Sequence, residues 1–440
     1  MEYRPPPPSN LHVKPRLIIH GGAGNIRRPT FPPEKYDAYR HALLTVVSRT
    51  NDYINAAEKG SPSALDIAAH AVTQLEDHPI FNAGHGAVFT RDGLNELEAS
   101  VMVSRGQAKR AVGVMGLRRV RNPITLAKAI LERGDKDILP KTAGAEKRDL
   151  NVPSAQGHTL VHGETAEQLA SAYGFPLVKH DYFFTQQRWD EHIRGLENEA
   201  GGSGTANWSA DEYLPQGTVG AVALDSQGVI CVATSTGGLT NKLTGRVGDT
   251  PVPGAGYWAE QWDEQGDPTG QSSWGQIRES LASAAPGVSF SEPLKGWLAD
   301  CLPSPTAYTP FSPLRELVTT RSVAASGTGN GDSFLRCAAV HTVASMARHG
   351  GLPASLALSR VAGPGGELQQ SAGERWGLAG EGEGGIIGIE CVVVKEKNSG
   401  KVVDVRSKVL MDFNCGGMFR AWIDDSGKPV MSIWTNGDSD

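Results

Sequence analysis

Cysteine is scarce in this chain of 440 residues. The five present, Cys231, Cys301, Cys337, Cys391 and Cys415, are odd in number, widely spaced and form no CxxC pair. That pattern indicates neither a disulfide framework nor a zinc site, and it fits a reducing compartment. Cys231, inside an apolar run, reads as a core thiol. A strong charge of either sign is missing as well. The formal net charge of -6 speaks against a nucleic-acid partner, which calls for a basic face. The one basic cluster, Arg118-Arg119-Val120-Arg121, has no aromatic interleaving and reads as a solvated loop. No run approaches the ~20 apolar residues of a membrane helix, so no membrane partner is expected. The start, Met1-Glu2-Tyr3-Arg4 before four prolines, is not a signal-peptide core. The expectation is a soluble, cytoplasmic protein.

Glycine is what the chain has in excess, 53 residues, which signals tight turns and close backbone approaches. Apolar residues make up 39%, enough for a substantial core. The length suits two or three domains, or one large domain with insertions. Leu17-Ile18-Ile19 is a buried-strand signal closed by His20-Gly21-Gly22-Ala23-Gly24. Residues 34–59, 64–75 and 123–132 read as helices, the last opening with Pro123 at a helix start. Residues 97–103, 111–117, 219–224 and 229–233 read as strands, the last two joined by the turn Asp225-Ser226-Gln227-Gly228. Residues 385–394 and 402–410 form another strand pair, and 334–346 a long helix. Helices layered on a largely antiparallel sheet, an α+β chain, is the architecture this order favours. Residues 195–217 are polar and read as a mobile linker. Residues 259–320, irregular and rich in Pro, Ser and Trp, read as an insertion.

Chemistry concentrates at Gly217-Thr218-Val219-Gly220, where the polar stretch meets an apolar strand. A threonine there starts a buried strand, or it is freed by cleavage after Gly217. With its own α-amine, a threonine carries nucleophile and base in one residue. Four further segments stand in order along the chain: HGGAG at 20–24, LEDHPIFNAGHGAVFTRDGLNELEASVM at 75–102, TGNGD at 328–332 and FNCGGMFRA at 413–421. TGNGD is a poor phosphate loop, because no Lys-Ser/Thr follows its glycines. His78 and His85, seven apart with no third ligand, are poor zinc candidates.

Together with TVGAVALDSQGVICVATSTGGLTNKLTGRVGDTPVPGAG from Thr218, these blocks resemble the isoaspartyl peptidase/L-asparaginase family of N-terminal-nucleophile hydrolases. The resemblance covers most of 16–194, 218–258 and 324–421. It implies a four-layer αββα sandwich and one structural domain, processed into an α-subunit of residues 1–217 and a β-subunit of residues 218–440. It implies that Thr218 is the nucleophile and that Thr236, eighteen positions on (236 − 218), bonds and orients it. Arg246 and Asp249 match the family's clamp. Arg246 suits an α-carboxylate, held by two parallel hydrogen bonds, and Asp249 suits an α-ammonium. Outside the resemblance these two read as a surface ion pair. Thr328 and Gly329 match the oxyanion hole, and Asn82 an element that shapes the site.

Leu75, Glu76, His78, Phe81, Ala83 and His85 match a loop that holds a structural sodium ion through backbone carbonyls. No organic cofactor is implied. The implied partner is a small molecule, asparagine or a β-aspartyl dipeptide, and the implied assembly a homodimer of cleaved two-chain units. The spacing from Thr236 to Thr328 is 92 (328 − 236), larger than the family's, so the inserted region puts substrate size in question. TGNGD also resembles the glycosylasparaginase branch, which the HGGAG segment and the absence of a signal peptide oppose. A taspase-type endopeptidase and a non-catalytic scaffold are the other readings.

Overall fold

The structure is a computed structural model that describes residues 13–56, 61–104, 110–138, 152–200, 217–267, 317–378 and 380–435. Twelve strands fall into two sheets among these residues. The larger has eight: β1 (Arg16–Gly24), β2 (Leu97–Val103), β3 (Arg110–Leu117), β4 (Leu160–His162), β5 (Val219–Leu224), β6 (Ile230–Thr236), β11 (Gly417–Ile423) and β12 (Pro429–Ser432), in spatial order β12-β11-β1-β5-β6-β2-β3-β4. The smaller holds β7 (Tyr257–Gln265), β8 (Leu317–Gly329), β9 (Gly384–Glu396) and β10 (Val402–Phe413), in order β10-β9-β8-β7. All pairings are antiparallel except β3 with β4.

The strand period of two explains how one apolar run serves two cores. Leu17 and Ile19 of β1 point to the side covered by helices α1 (Pro33–Asn55), α2 (Ala64–Glu76) and α3 (Pro123–Ile138), together with Leu43, Val72 and Val101. Ile18, between them, faces the smaller sheet with Val222, Val232 and Ile389. A third core lies where helices Ala339–Arg348 and Ala354–Ala362 cover the smaller sheet, around Phe334, Val343, Leu358 and Ile386. Each such fully buried side chain contributes about 1.5–3 kcal/mol. Because β5 is buried on both faces, its sequence is a continuous apolar run rather than an alternating one.

Three expectations are corrected. The helix expected over 334–346 is two, Gly331–Cys337 and Ala339–Arg348, broken at Ala338, which adopts φ 43. The second helix turns its Val340 and His341 N–H groups to the Ala255 and Gly254 carbonyls, a tertiary contact that outweighs helix continuity. The first part of the linker expected over 195–217 is helical, because the helix Gln186–Ala200 runs through it; residues 201–216 lie outside the described residues. The insertion expected over 259–320 is narrower. Its flanks are the paired strands β7 and β8, in register from Tyr257↔Ser326 to Gln265↔Val318, and residues 268–316 lie outside the described residues.

No helix among the described residues is long and apolar enough to cross a membrane. Cys231 and Cys391 are buried, Cys337 and Cys415 are part-exposed, and none of the four stands in a disulfide; Cys301 is outside the described residues. The expected basic cluster is tied to acidic side chains: Arg118 reaches Glu96 and Arg121 reaches Asp77.

Candidate active site

Strand β5 lies between β1 and β6, so the residues just before it are held at the rim of the larger sheet. Gly217 rests directly on β1. A Cβ on Gly217 would stand 2.1 Å from Gly22 Cα and 2.5 Å from Ala23 N, so only hydrogen fits. The HGGAG segment thus forms the floor under the Gly217–Thr218 bond. His20 of the same segment bonds Ser326 Oγ through Nε2 at 2.7 Å, directly over Gly220, where a Cβ would hit both groups. Burial holds His20 down at about 3, against a raising contact with the Thr218 backbone, so the imidazole is neutral at working pH.

One cleft gathers Thr218, Thr236, Arg246, Asp249, Gly329 and Glu98. Thr218 is only 6% exposed, and its hydroxyl lies 3.2 Å from Thr250 Oγ1. The sequence expectation gave that bond to Thr236. In the structure the Thr236 hydroxyl accepts from the Gly238 N–H at 3.0 Å, and Thr236 shares the cleft wall with Thr218. Arg246 Nη2 lies 3.1 Å from Asp332 Oδ1. Asp249 is buried, and burial pushes its carboxyl up to about 7; Glu98 and Asp332 push the same way, while its own N–H and Arg246 oppose. Gly331 is a glycine for a local reason: a Cβ there would stand 2.5 Å from Asp249 Oδ1.

Thr328 and Gly329 end β8, paired with Gly385 and Gly384. Thr328 is fully buried, and its hydroxyl has no protein partner. A buried hydroxyl left unmatched is costly; Thr328 itself does not line the cleft, whereas its neighbour Gly329 does. Asn82 is placed beside the cleft rather than in its wall. Its Nδ2 donates to Gly238 O at 2.7 Å, its Oδ1 accepts from the Val88 N–H at 3.0 Å, and its carbonyl accepts from the Gly237 N–H at 3.1 Å. It fixes the turn that follows Thr236.

The residues that sequence reasoning missed stand at alternate positions leading into and along β2. Glu96 Oε2 accepts from the Gly245 N–H at 2.7 Å, Glu98 Oε1 from the Gly248 N–H at 3.1 Å, and Ser100 donates to the Thr250 carbonyl at 2.7 Å. The positions i, i+2 and i+4 share a face in a strand. Glu98 and Ser100 of β2, with Glu96 just before the strand, therefore brace the whole 245–250 loop that carries Arg246, Asp249 and Thr250. Lys242, also buried, donates to the Glu96 carbonyl at 2.9 Å and stands 3.8 Å from Glu98 Oε1. Burial drives Glu98 up and Lys242 down, with each charge countering the shift of the other. The signal was legible: Glu98 and Ser100 alternate with apolar residues in a strand that is buried throughout, and the buried Glu96 stands just before it.

The expected cation loop follows α2. Among the described residues no group of three His, Cys, Asp or Glu side chains could hold a metal ion, which leaves backbone oxygens as the donors to test. They crowd inward at two glycines. A Cβ on Gly84, at φ 51, would stand 2.3 Å from the Glu76 carbonyl, and one on Gly86 would stand 2.2 Å from the Phe81 carbonyl. The carbonyls of His78 and Ala83 each accept one turn hydrogen bond, from Phe81 and Gly86, which leaves each a second lone pair; the Leu75 carbonyl accepts from both Asp77 and His78. His85 turns its side chain away, to the Tyr182 carbonyl at 2.6 Å. The Glu76 side chain serves packing: burial pushes it up to about 8, and it accepts from Ser235 and from the Ile124 N–H. An oxygen-only donor set suits a hard cation.

A buried hydroxyl at a strand start, a guanidinium and a buried carboxyl border one cleft, a set of groups able to take part in amide hydrolysis. The family model described as asparaginase matches residues 13–157 and 149–264. An isoaspartyl peptidase of Escherichia coli (strain K12) is 31% identical over 418 residues, covering 95% of each chain. An isoaspartyl peptidase/L-asparaginase of Xenopus laevis is 36% identical over 252 residues, 56% of this chain and 67% of the relative. A plant-type L-asparaginase of Pyrococcus furiosus is 35% identical over 252 residues, 56% of this chain and 70% of the relative. The chain belongs to the asparaginase family, a family of amidohydrolases.

Proposed function

We propose that the protein is an autocleaving threonine hydrolase that releases aspartate from L-asparagine, from β-aspartyl dipeptides, or from both. The observation that carries this is the convergence of Thr218, Thr236, Arg246, Asp249 and Gly329 on one cleft. The names of the relatives supply the substrate class. Thr218 first attacks the Gly217 carbonyl, and water splits the ester, leaving chains of 217 and 223 residues (440 − 217). The freed amine, with an ordinary pKa of ~7.7–8, then serves as base to its own hydroxyl near neutral pH. Arg246 holds the substrate's α-carboxylate and Asp249 its α-ammonium, which turns the side-chain amide toward Thr218. In the cut enzyme Thr236, which shares the cleft wall with Thr218, orients the nucleophile. The Thr328 hydroxyl and the Gly329 N–H receive the oxyanion, a contribution of about 10²–10³ per donor. Ammonia or an amino acid leaves, and water releases aspartate from the acyl-enzyme.

The helix-sheet-sheet-helix contacts support the four-layer αββα sandwich of N-terminal-nucleophile hydrolases as its fold. The inward carbonyls of residues 75–85 support a structural sodium ion, which would stiffen the loop and take no part in the reaction. No organic cofactor enters this mechanism. The family reading extends to a homodimer of cleaved units. The four described cysteines, none in a disulfide, support a reducing, cytoplasmic setting. One experiment tests the reading: purify the protein, resolve it by denaturing electrophoresis, and assay aspartate release from asparagine and β-aspartyl-leucine. Two bands near half mass and aspartate from either substrate are expected; an uncut chain or no release from both refutes it.

A further inference from the structure

We infer that Thr250 is the positioning residue for the Thr218 hydroxyl in the uncut chain, so that it governs cleavage of the Gly217–Thr218 bond. The inference rests on the self-cleavage proposed above and assigns it a residue. Thr250 Oγ1 lies 3.2 Å from Thr218 Oγ1, whereas the Thr236 hydroxyl is bonded to the Gly238 N–H. Thr250 is 1% exposed, and its backbone is pinned. The Thr250 carbonyl accepts from Ser100 Oγ at 2.7 Å and from Thr234 Oγ1 at 3.4 Å, and Ser100 and Thr234 also bond each other. With the backbone pinned and the side chain enclosed, the Thr250 hydroxyl is held in direction by its surroundings.

On the other side of the bond, Gly217 is wedged against Gly22. The scissile carbonyl and the attacking hydroxyl are therefore each held by a separate buried support. Either hydroxyl can donate in this bond; the orientation with Thr218 as donor is the one that keeps the lone pairs of Thr218 Oγ1 free for attack. In the step itself the Thr218 oxygen bonds the Gly217 carbonyl carbon. The bond from that carbon to the Thr218 nitrogen then breaks. The hydroxyl proton ends on the departing amine, and water cleaves the resulting ester to the Gly217 carboxylate and the restored hydroxyl. Holding one rotamer of the nucleophile is a near-attack contribution, and loss of the hydrogen bond that holds it corresponds to about tenfold in rate.

The test follows cleavage in time. Wild type, Thr250→Val and Thr250→Ser are made by cell-free translation and sampled on denaturing gels, with melting temperatures taken to confirm folding. Thr250→Val should be cut about tenfold more slowly than wild type, and Thr250→Ser, which keeps the hydroxyl, within about twofold of it. If Thr250→Val does not fold, Thr250→Ala against Thr250→Ser makes the same comparison. A wild type that is cut, with Thr250→Val cut as fast, overturns the role of Thr250 alone. Thr250→Ser as slow as Thr250→Val overturns it too, because the hydroxyl is then not what matters. A wild type that stays whole overturns the cleavage reading and this inference with it.

Discussion

Gly217 and Gly22 touch backbone to backbone: a Cβ on the first would stand 2.1 Å from the Cα of the second. The contact joins the residue before Thr218 to the HGGAG segment, 195 positions away (217 − 22). It gives Gly217 a steric reason to be glycine whatever its role in cleavage. Gly217→Ala must push two strands of the larger sheet apart at their rim, and overpacking of this kind costs roughly 1–3 kcal/mol. The expected outcome is a lowered melting temperature and a chain that stays whole on a denaturing gel. Prompt cleavage at wild-type stability would show that the contact is slack.

Thr328 predicts a separation of stability from activity. Its buried hydroxyl makes no protein hydrogen bond, so Thr328→Val loses none and sheds a desolvated polar group. The melting temperature should hold or rise. Turnover should fall by about 10²–10³, the usual effect of removing one oxyanion donor. Thermal melts and kcat on asparagine check both halves, and a variant of full turnover removes Thr328 from the oxyanion hole.

Asp249 predicts a pH dependence of stability. Its carboxyl stands at about 7 in the fold against an ordinary 3.8, so between those values the folded chain keeps a proton that the unfolded chain releases. Stability from this group is fully present below about 3.8 and is lost as pH rises toward 7. Asp249→Asn removes the titration. Relative to wild type, the variant should gain melting temperature steadily from pH 4 to pH 7.5. A constant difference across that range would mean that the carboxyl titrates normally.

The carbonyl loop predicts an ion-specific effect. If residues 75–85 hold sodium, the protein should melt higher in sodium chloride than in tetramethylammonium chloride of equal ionic strength, because a ligand bound only by the folded state stabilises it. Identical melting curves would dismiss the ion. The measurement needs no enzymatic activity, so it stands apart from the cleavage question.

Much of the frame was legible in the chain. Residues 97–103 and 219–224 alone read correctly as strands to the residue, because buried strands leave short apolar runs bounded by polar turns. Arg246 and Asp249 were legible through their motif, and both border the cleft. The two helices expected as one over 334–346 were not, because the break at Ala338 is made by bonds to Gly254 and Ala255, some eighty positions earlier. The inserted region changed meaning too. Its described base, at Gln265 and Leu317, lies at the other end of β8 from Thr328. Eleven strand residues (328 − 317) at ~3.4 Å each put roughly 37 Å between them.

Residue types and local order were enough to determine the strands, the apolar core positions and the short list of threonines, charges and glycines able to do amide chemistry. Those properties are local, since periodicity and turn chemistry act over a few residues. Only the tertiary structure decided which groups meet. It set Thr250, not Thr236, against the Thr218 hydroxyl, and it turned Glu96, Glu98 and Ser100 into a brace for the 245–250 loop. Hydrogen bonds between residues about 150 positions apart are chosen by how sheets stack and where backbones can touch, and no local pattern encodes that choice.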